Sequence, residues 1–187
     1  VIEVHNGITA HIAENSKYKN KSFDCMWLSS LTHSTSKGKP DIEYIDDTTV
    51  LNTINDIFDC TTKPLIFDGD SGGLIEHLKY TVSNLGRVGV SGIIFEDKVG
   101  NKKNSLVKTS HFQEQDSIEN FCKKIETAKK NSHSSGMKIF ARIESFILNK
   151  GLEDSIIRAK EYIKAGVDGI MIHSKKKNPS EIFSFSN

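Results

Sequence analysis

The sequence has few of the features that mark secreted, zinc-binding or membrane-spanning proteins. Its three cysteines, Cys25, Cys60 and Cys122, lie far apart, and none belongs to a C-x-x-C pair. This spacing disfavours a zinc site or a disulfide framework and favours reduced thiols in a cytoplasmic protein. No apolar stretch approaches the roughly 20 residues that a membrane-spanning helix needs. We therefore expect no membrane partner.

The chain also lacks an excess of charge of either sign. Its 187 residues carry 25 Lys and Arg against 24 Asp and Glu, which gives a formal net charge of +1. A nucleic-acid partner is therefore not expected. No G-x-G-x-x-G motif follows the first apolar run, which disfavours a dinucleotide site.

Short apolar runs alternate with amphipathic segments along the chain. Several runs are rich in Ile and do not alternate with polar residues, as is typical of parallel strands buried on both faces. The predicted strands are residues 2–5, 25–29, 65–68, 92–96, 139–144 and 169–173. The predicted helices are residues 41–58, 74–85, 116–130 and 152–165, the third opening with a capping-box-like pair, Asp116 and Glu119. This alternation is typical of a doubly wound sheet or of a (β/α)8 barrel.

Polar residues follow nearly every predicted strand, and their distribution distinguishes the two folds. An open sheet concentrates its site at one switch point, whereas a barrel brings the carboxyl ends of all its strands to one mouth. The even distribution favours an α/β fold of the (β/α)8 TIM-barrel type. About six βα units are visible. We therefore expect residues 1–187 to form a single barrel domain that is truncated at both ends.

The most informative strand end is the motif D-G-D-S-G-G at residues 68–73, which follows an apolar run. Carboxylates at the end of a buried strand are costly unless a positive charge accompanies them. Mg²⁺ is the usual partner because it takes one or two carboxylates and keeps several waters. The alternative is a polar turn that only ends the strand. Asp68 and Asp70, taken with Glu96 at a later strand end, are therefore candidate metal-binding residues.

Basic residues also collect near the predicted strand ends: Lys98, Lys102 and Arg142. Acids and cations around one mouth suit a metal-bound anionic substrate, and the planar fork of Arg142 can bind its oxygens in pairs. Two alternatives stay open, namely a strand-end ion pair between Arg142 and Glu144 and a core role for His173. The polar segment 99–105 is predicted to be a mobile loop, either a lid or an exposed linker.

Six segments resemble, in order and spacing, motifs of the phosphoenolpyruvate mutase family within the isocitrate lyase/phosphoenolpyruvate mutase superfamily. They are residues 3–7 (family pattern E-x-H-N-G), 27–31 (W-x-S-G-L), 68–72 (D-G-D-T-G), 96–98 with 102–105 (E-D-K…K-x-N-S), 141–144 (A-R-x-E) and 172–176 (I-H-S-K-K). Asp41 falls where the family has a further Asp. The chain departs from the family at Ser30, where the family usually has Gly, and in a shorter turn after Asp70.

The resemblance implies a Mg²⁺-dependent enzyme that interconverts phosphoenolpyruvate and phosphonopyruvate. Asp68 would bind the metal directly, and Asp70 and Glu96 would hold metal-bound waters. The implied substrate-binding residues are Trp27, Ser29, Ser30, Leu31, Arg142 and His173. The implied catalytic residues are Asn104, Lys102, Arg142, His173 and Asp41. The family also implies a homodimer or homotetramer.

Four alternatives to the mutase activity compete on the same residues. One of them, a generic sugar-phosphate barrel enzyme, is disfavoured by the set of motifs. A phosphonopyruvate hydrolase would share the Mg²⁺ site and the substrate, but residues 102–105 together with His173 favour the mutase. A non-catalytic homologue is disfavoured by the intact acids. The superfamily's lyases carry a catalytic Cys in a K-K-C-G-H motif after the fourth strand, and residues 99–105 contain no Cys.

Overall fold

The main sheet consists of parallel strands that follow one another in chain order. The structure is a computed structural model that describes residues 1–99, 102 and 113–186. In chain order the strands are β1 (Ile2–Val4), β2 (Lys17–Tyr18), β3 (Lys21–Ser22), β4 (Met26–Leu28), β5 (Leu65–Asp68), β6 (Gly92–Glu96), β7 (Lys98–Val99), β8 (Glu114–Gln115), β9 (Lys138–Ile143) and β10 (Gly169–Ile172). The main sheet has the order β1-β4-β5-β6-β9-β10, and each neighbouring pair is parallel. The strands β2–β3 and β7–β8 form two small antiparallel pairs.

The strand order of the main sheet distinguishes between the two folds that the sequence analysis left open, a doubly wound sheet and a (β/α)8 barrel. A doubly wound sheet reverses its strand order at a switch point, and no such reversal occurs between β1 and β10. Consecutive parallel strands with helical crossovers are the arrangement of a (β/α)8 barrel, of which six βα units are present here. The predicted α/β fold class is confirmed, and each of the six predicted strands is found within one residue of its predicted ends.

Helices fill the connections between the main strands. In chain order they are α1 (Gly7–Asn15), α2 (Ser30–Ser36), α3 (Asp47–Phe58), α4 (Ile75–Arg87), α5 (Ile118–Ser132), α6 (Gly151–Lys164) and α7 (Ser180–Ser186). Throughout the described ranges, none of the helices combines the length and the apolar character needed to cross a membrane.

Two of the predicted helix starts are wrong. The helix predicted over residues 41–58 begins only at Asp47, because the Asp46 side chain accepts a hydrogen bond from the Thr49 amide and caps α3. Asp41 therefore lies in the preceding loop. The predicted capping pair Asp116 and Glu119 does not cap α5, since Ser117 accepts the hydrogen bond from the Asn120 amide instead.

The two faces of the main sheet differ in how completely they are covered. Met26 and Leu28 of β4 are fully buried in one apolar cluster with Ile54 of α3 and Leu78 of α4. Trp27, which points to the opposite face because strand side chains alternate, is only half-buried. The helix-covered face therefore forms the core, and the opposite face corresponds to the interior side of a barrel.

A buried polar cluster joins the ends of β6 and β9 to α5 and α6. Its centre is Asp97, a fully buried carboxylate that accepts hydrogen bonds from Tyr162 Oη at 2.8 Å and from Gln115 Nε2 at 2.8 Å. Arg158 Nη1 lies 3.3 Å from the same carboxylate and donates to Tyr162 Oη at 2.9 Å. Burial raises the pKa of Asp97 to about 6, although these donors and the Glu144 amide favour its ionised form. Each side chain of the cluster therefore supplies a hydrogen-bond partner that another buried polar group of the cluster needs.

The Tyr162→Phe substitution tests this cluster. It removes one donor to Asp97 while keeping the ring that packs against Phe121 at a centroid distance of 4.7 Å. We expect the free energy of unfolding to fall by about 1–3 kcal/mol, the cost of leaving a buried polar group unpaired. Urea unfolding measures it, with Tyr80→Phe as control because Tyr80 is 63% exposed. Equal unfolding midpoints for Tyr162→Phe and the wild type would contradict the prediction.

Candidate active site

Three charged side chains meet where neighbouring strands end. Asp68 closes β5, Glu96 closes β6, and the register of β6 and β9 sets Arg142 directly beside Glu96. Their exposed fractions are only 6%, 1% and 8%. Parallel strands therefore bring together residues that are far apart in the sequence, as the strand-end pattern predicted.

Arg142 is the centre of this group because it contacts three carboxylates. Its Nε donates to Glu144 Oε1 at 2.9 Å, its Nη2 donates to Glu96 Oε2, and its Nη1 lies 3.5 Å from Asp68 Oδ1. Burial alone would lower the pKa of Arg142, but the charges of Asp68, Glu96 and Glu144 raise it. The guanidinium is therefore a permanent positive charge that lies between the carboxylates at the strand ends.

Glu144 connects Arg142 to two further basic residues. It is fully buried, its Oε1 lies 2.8 Å from His173 Nδ1, and its Oε2 lies 3.8 Å from Lys98 Nζ. Burial favours the neutral acid, but the hydrogen bond from His173 and the charges of Arg142, His173 and Lys98 lower the pKa of Glu144 to about 2. Because Glu144 is ionised, the Nδ1 atom of His173 carries the proton that joins them.

A second group forms around Lys102, at the other side of Asp68. Lys102 Nζ donates to Asp41 Oδ1 at 2.7 Å and also donates to Asp70 and to the Ser30 hydroxyl. Ser30 Oγ in turn donates to Asp68 Oδ2 at 3.1 Å. The side chain that departs from the family's usual Gly therefore joins Asp68 to Lys102. All five residues were predicted from the sequence to belong to the site.

The acidic turn, residues 68–73, carries more negative charge than its neighbours balance. Burial and the charge of Asp68 raise the pKa of Asp70 to about 7, even though Lys102 lowers it. The two groups bring five acidic side chains together with three basic ones, namely Asp41, Asp68, Asp70, Glu96 and Glu144 with Lys98, Lys102 and Arg142. The acidic side chains therefore outnumber the basic ones by two. Carboxylate oxygens are the ligands that a hard divalent cation prefers, and such a cation would balance this difference.

The spacing of these acids suits a cation that keeps part of its water shell. Across residues 1–99, 102 and 113–186, no three Asp, Glu, His or Cys side chains are grouped closely enough to hold a metal ion directly. Mg²⁺ is bound in many proteins through one or two carboxylates and several waters. The carboxylates of Asp68, Asp70 and Glu96 are therefore oxygen donors of the kind that a hydrated divalent cation such as Mg²⁺ takes.

The remaining predicted site residues lie around these two groups or outside the described chain. Trp27 is beside Glu3 and Ile66 in the register, and its buried Nε1 has no hydrogen-bond partner among the described residues. Ser29 is the N-cap of α2, and Ser30 and Leu31 open that helix. Asn104 lies outside the described residues, as does most of the predicted loop.

Sequence reasoning assigned no role to Asp97, which fixes the position of Glu144. The Asp97 carboxylate accepts the Glu144 backbone amide at 2.9 Å, and the Asp97 amide donates to the Arg142 carbonyl at 3.1 Å. Its place directly after Glu96 in the E-D-K motif was the available signal. The cross-strand partners that give it this role are distant in sequence.

Comparison with known proteins finds phosphoenolpyruvate phosphomutases among the proteins similar to this chain. The family model for phosphoenolpyruvate phosphomutase matches residues 1–187. The phosphoenolpyruvate phosphomutase of Tetrahymena pyriformis is 36% identical over 186 residues, which are 99% of this chain and 60% of that protein. The chain thus spans about 60% of the length of that curated relative.

Solved structures agree with the sequence match. The phosphoenolpyruvate phosphomutase from Streptomyces platensis subsp. rosaceus has a TM-score of 0.90 at 30% identity, covering 98% of this chain and 62% of its own. A phosphonopyruvate hydrolase in complex with oxalate and Mg²⁺ has a TM-score of 0.86 at 31% identity, covering 98% of this chain and 61% of its own. The chain belongs to the phosphoenolpyruvate phosphomutase family.

Proposed function

We propose that the protein to which this chain belongs is a Mg²⁺-dependent phosphomutase that interconverts phosphoenolpyruvate and phosphonopyruvate. One observation carries the proposal: a buried surplus of carboxylate at Asp68 and Asp70 lies next to the permanent cation Arg142. A divalent cation would neutralise the surplus, and the cation together with Arg142 would bind an anionic substrate from two sides.

The metal would be held by Asp68 directly and by Asp70 and Glu96 through water. When bound, Mg²⁺ would bridge and polarise oxygens of the substrate. The Asp70 carbonyl accepts the Glu96 amide at 2.7 Å. This link supports a common site for the acids of β5 and β6, because it ties the acidic turn to the end of the neighbouring strand.

Arg142 and His173 would bind the phosphoryl group. Glu144 would hold the side chains of Arg142 and His173 in place. In the proposed reaction the phosphorus–oxygen bond of phosphoenolpyruvate breaks and a phosphorus–carbon bond forms on the same substrate. Such transfers are loose, so positioning and electrostatic stabilisation supply most of the catalysis. Trp27 and the start of α2, at Ser30 and Leu31, would hold the pyruvyl part.

Lys102 would help to order the closed loop, as the resemblance to the family implies. The Lys102 ammonium already lies among Asp41, Asp70 and Ser30, which supports a role in ordering the site. We assign to Asn104 the contact with the phosphoryl group in transit. Water has to be kept away during that step, because water would capture the group.

A phosphonopyruvate hydrolase is the second candidate, since one structure of similar TM-score is such an enzyme. The segment Lys102 to Ser105, with His173, resembles the mutase pattern and supports the first candidate. We further propose that the protein acts in the cytoplasm as a homodimer or homotetramer, as its resemblance to the family implies.

The product formed from phosphonopyruvate separates the two candidates. We expect the purified protein with Mg²⁺ to yield phosphoenolpyruvate, because residues 102–105 together with His173 resemble the mutase pattern. Phosphorus NMR of the reaction mixture identifies the product. Inorganic phosphate and pyruvate as the main products would instead establish the hydrolase, and no turnover of phosphonopyruvate would exclude both activities.

The Asp68→Ala substitution tests the metal assignment. Removal of the proposed direct ligand is expected to lower kcat/KM by at least about a hundredfold and to weaken Mg²⁺ binding. Steady-state assays and titration calorimetry measure the two effects. Asp24→Ala is the matched control, because Asp24 is an exposed aspartate away from the strand ends. Undiminished activity in Asp68→Ala would refute the assignment.

The Glu144→Gln substitution tests the charge balance around Arg142 through pH. Because the pKa of Glu144 is lowered to about 2 in the folded protein, its ionised form stabilises the fold above pH 4.5 and loses this effect as pH falls towards 2. The linkage amounts to about 3 kcal/mol. Urea unfolding at pH 7, 5 and 3 should show the gap between wild type and variant shrinking on acidification.

The exposed Glu126→Gln variant serves as the control for the pH series. Changes that it shares with the wild type report on the rest of the chain. A gap between wild type and Glu144→Gln that stays constant from pH 7 to pH 3 would contradict the lowered pKa of Glu144.

A further inference from the structure

The acidic turn is held partly by its own hydrogen bonds, from the Asp70 amide to Asp68 Oδ1 at 3.4 Å and from the Gly73 amide to Ser71 Oγ at 3.2 Å, and partly by residues from other elements. Asp70 has φ 52°, a left-handed conformation that costs free energy for any residue with a Cβ. Within the turn, the Gly72 amide donates to the Gly69 carbonyl at 2.9 Å. Ser71, which follows Asp70, is 5% exposed. The conformation of a turn with two proposed cation-binding acids therefore depends in part on contacts from elsewhere.

Glu43 supplies one of these contacts from the loop that precedes α3. Its Oε1 accepts a hydrogen bond from the Ser71 amide at 2.8 Å and another from the Ser71 hydroxyl at 2.7 Å. Glu43 itself has φ 55°. A left-handed conformation at a residue with a Cβ persists only where surrounding contacts compensate for its cost, and the two hydrogen bonds to Ser71 are such contacts for Glu43.

Lys124 supplies the opposite contact from α5. Its Nζ donates to the Ser71 carbonyl at 2.9 Å and lies 3.9 Å from Asp116 Oδ2. Lys124 is only 7% exposed, so its ammonium gives up most of its hydration to make this contact. Burial lowers the pKa of Lys124, and the charges of Asp116 and Glu43 oppose that effect.

We propose that Glu43 and Lys124 are positioning residues that clamp Ser71 and thereby set the geometry of Asp68 and Asp70 for the divalent cation. The carboxylate holds the amide side of Ser71, and the ammonium holds its carbonyl side. Neither contact reaches Asp68 or Asp70 directly, so the clamp acts through the backbone. The inference rests on the proposed function, since it assigns these residues to the same metal site.

Metal affinity distinguishes positioning from a purely structural role. Glu43→Ala and Lys124→Met are expected to weaken Mg²⁺ binding about tenfold or more, as loss of groups that orient metal ligands does. Glu43→Gln is expected to bind Mg²⁺ within about threefold of the wild type, because its amide oxygen still accepts from Ser71. Titration calorimetry with Mg²⁺ alone gives the affinities, and urea unfolding gives the stability of each variant.

Two exposed neighbours provide matched controls. Glu76→Ala removes an acid from the first turn of α4, and Lys123→Met removes the lysine next to Lys124, which pairs with Glu119 on the surface. Both should bind Mg²⁺ like the wild type. Should Lys124→Met fail to fold by circular dichroism, Glu43→Ala and its rescue by Glu43→Gln decide the question.

The outcomes separate this inference from the proposed function. If Asp68→Ala loses Mg²⁺ affinity while Glu43→Ala and Lys124→Met keep it, the clamp is overturned and the metal site stands. If the glutamine variant binds Mg²⁺ as weakly as the alanine variant, positioning through the Ser71 hydrogen bonds is also overturned. A wild-type protein without measurable affinity for Mg²⁺ would overturn both proposals.

Discussion

The buried guanidinium of Arg142 is the interaction on which the candidate site depends. It lies among Asp68, Glu96 and Glu144, which are at the carboxyl ends of the three neighbouring strands β5, β6 and β9. Without that charge, three carboxylates with little access to water would repel one another at the strand ends. In the proposed function the same positive charge that allows the acids to be buried would also bind the anionic substrate. Stability and the proposed chemistry would then depend on one residue.

A large part of this arrangement could be predicted from residues close together in the sequence. Apolar runs of strand length identified β1, β4, β5, β6, β9 and β10, because a strand buried on both faces has a local signature. Asp68, Glu96 and Arg142 could be grouped because parallel strands place their carboxyl ends at one edge. The resemblance of six segments to one family then supplied their proposed roles.

The remaining features depend on contacts that leave no local signature. Glu43 fell within the helix predicted over residues 41–58 and Lys124 within the one predicted over residues 116–130, yet both reach Ser71. The helix α3 starts later than predicted because Asp46 caps it, and its amphipathic pattern alone did not show where the helix begins. Asp97 was visible in its motif, but Tyr162 and Arg158 are more than 60 residues away along the chain.

The hydroxyl of Ser30 has a consequence for the solvent inside the site. It takes a hydrogen bond from Lys102 and gives one to Asp68. A glycine, which the family usually has at this position, would leave those two groups to find another partner, and a water molecule is the natural one. The hydroxyl of Ser30 occupies the position of that water and, because it is covalently attached to the chain, it cannot exchange with solvent. A fixed hydroxyl in place of a mobile water leaves this part of the site with one fewer solvent molecule that can exchange.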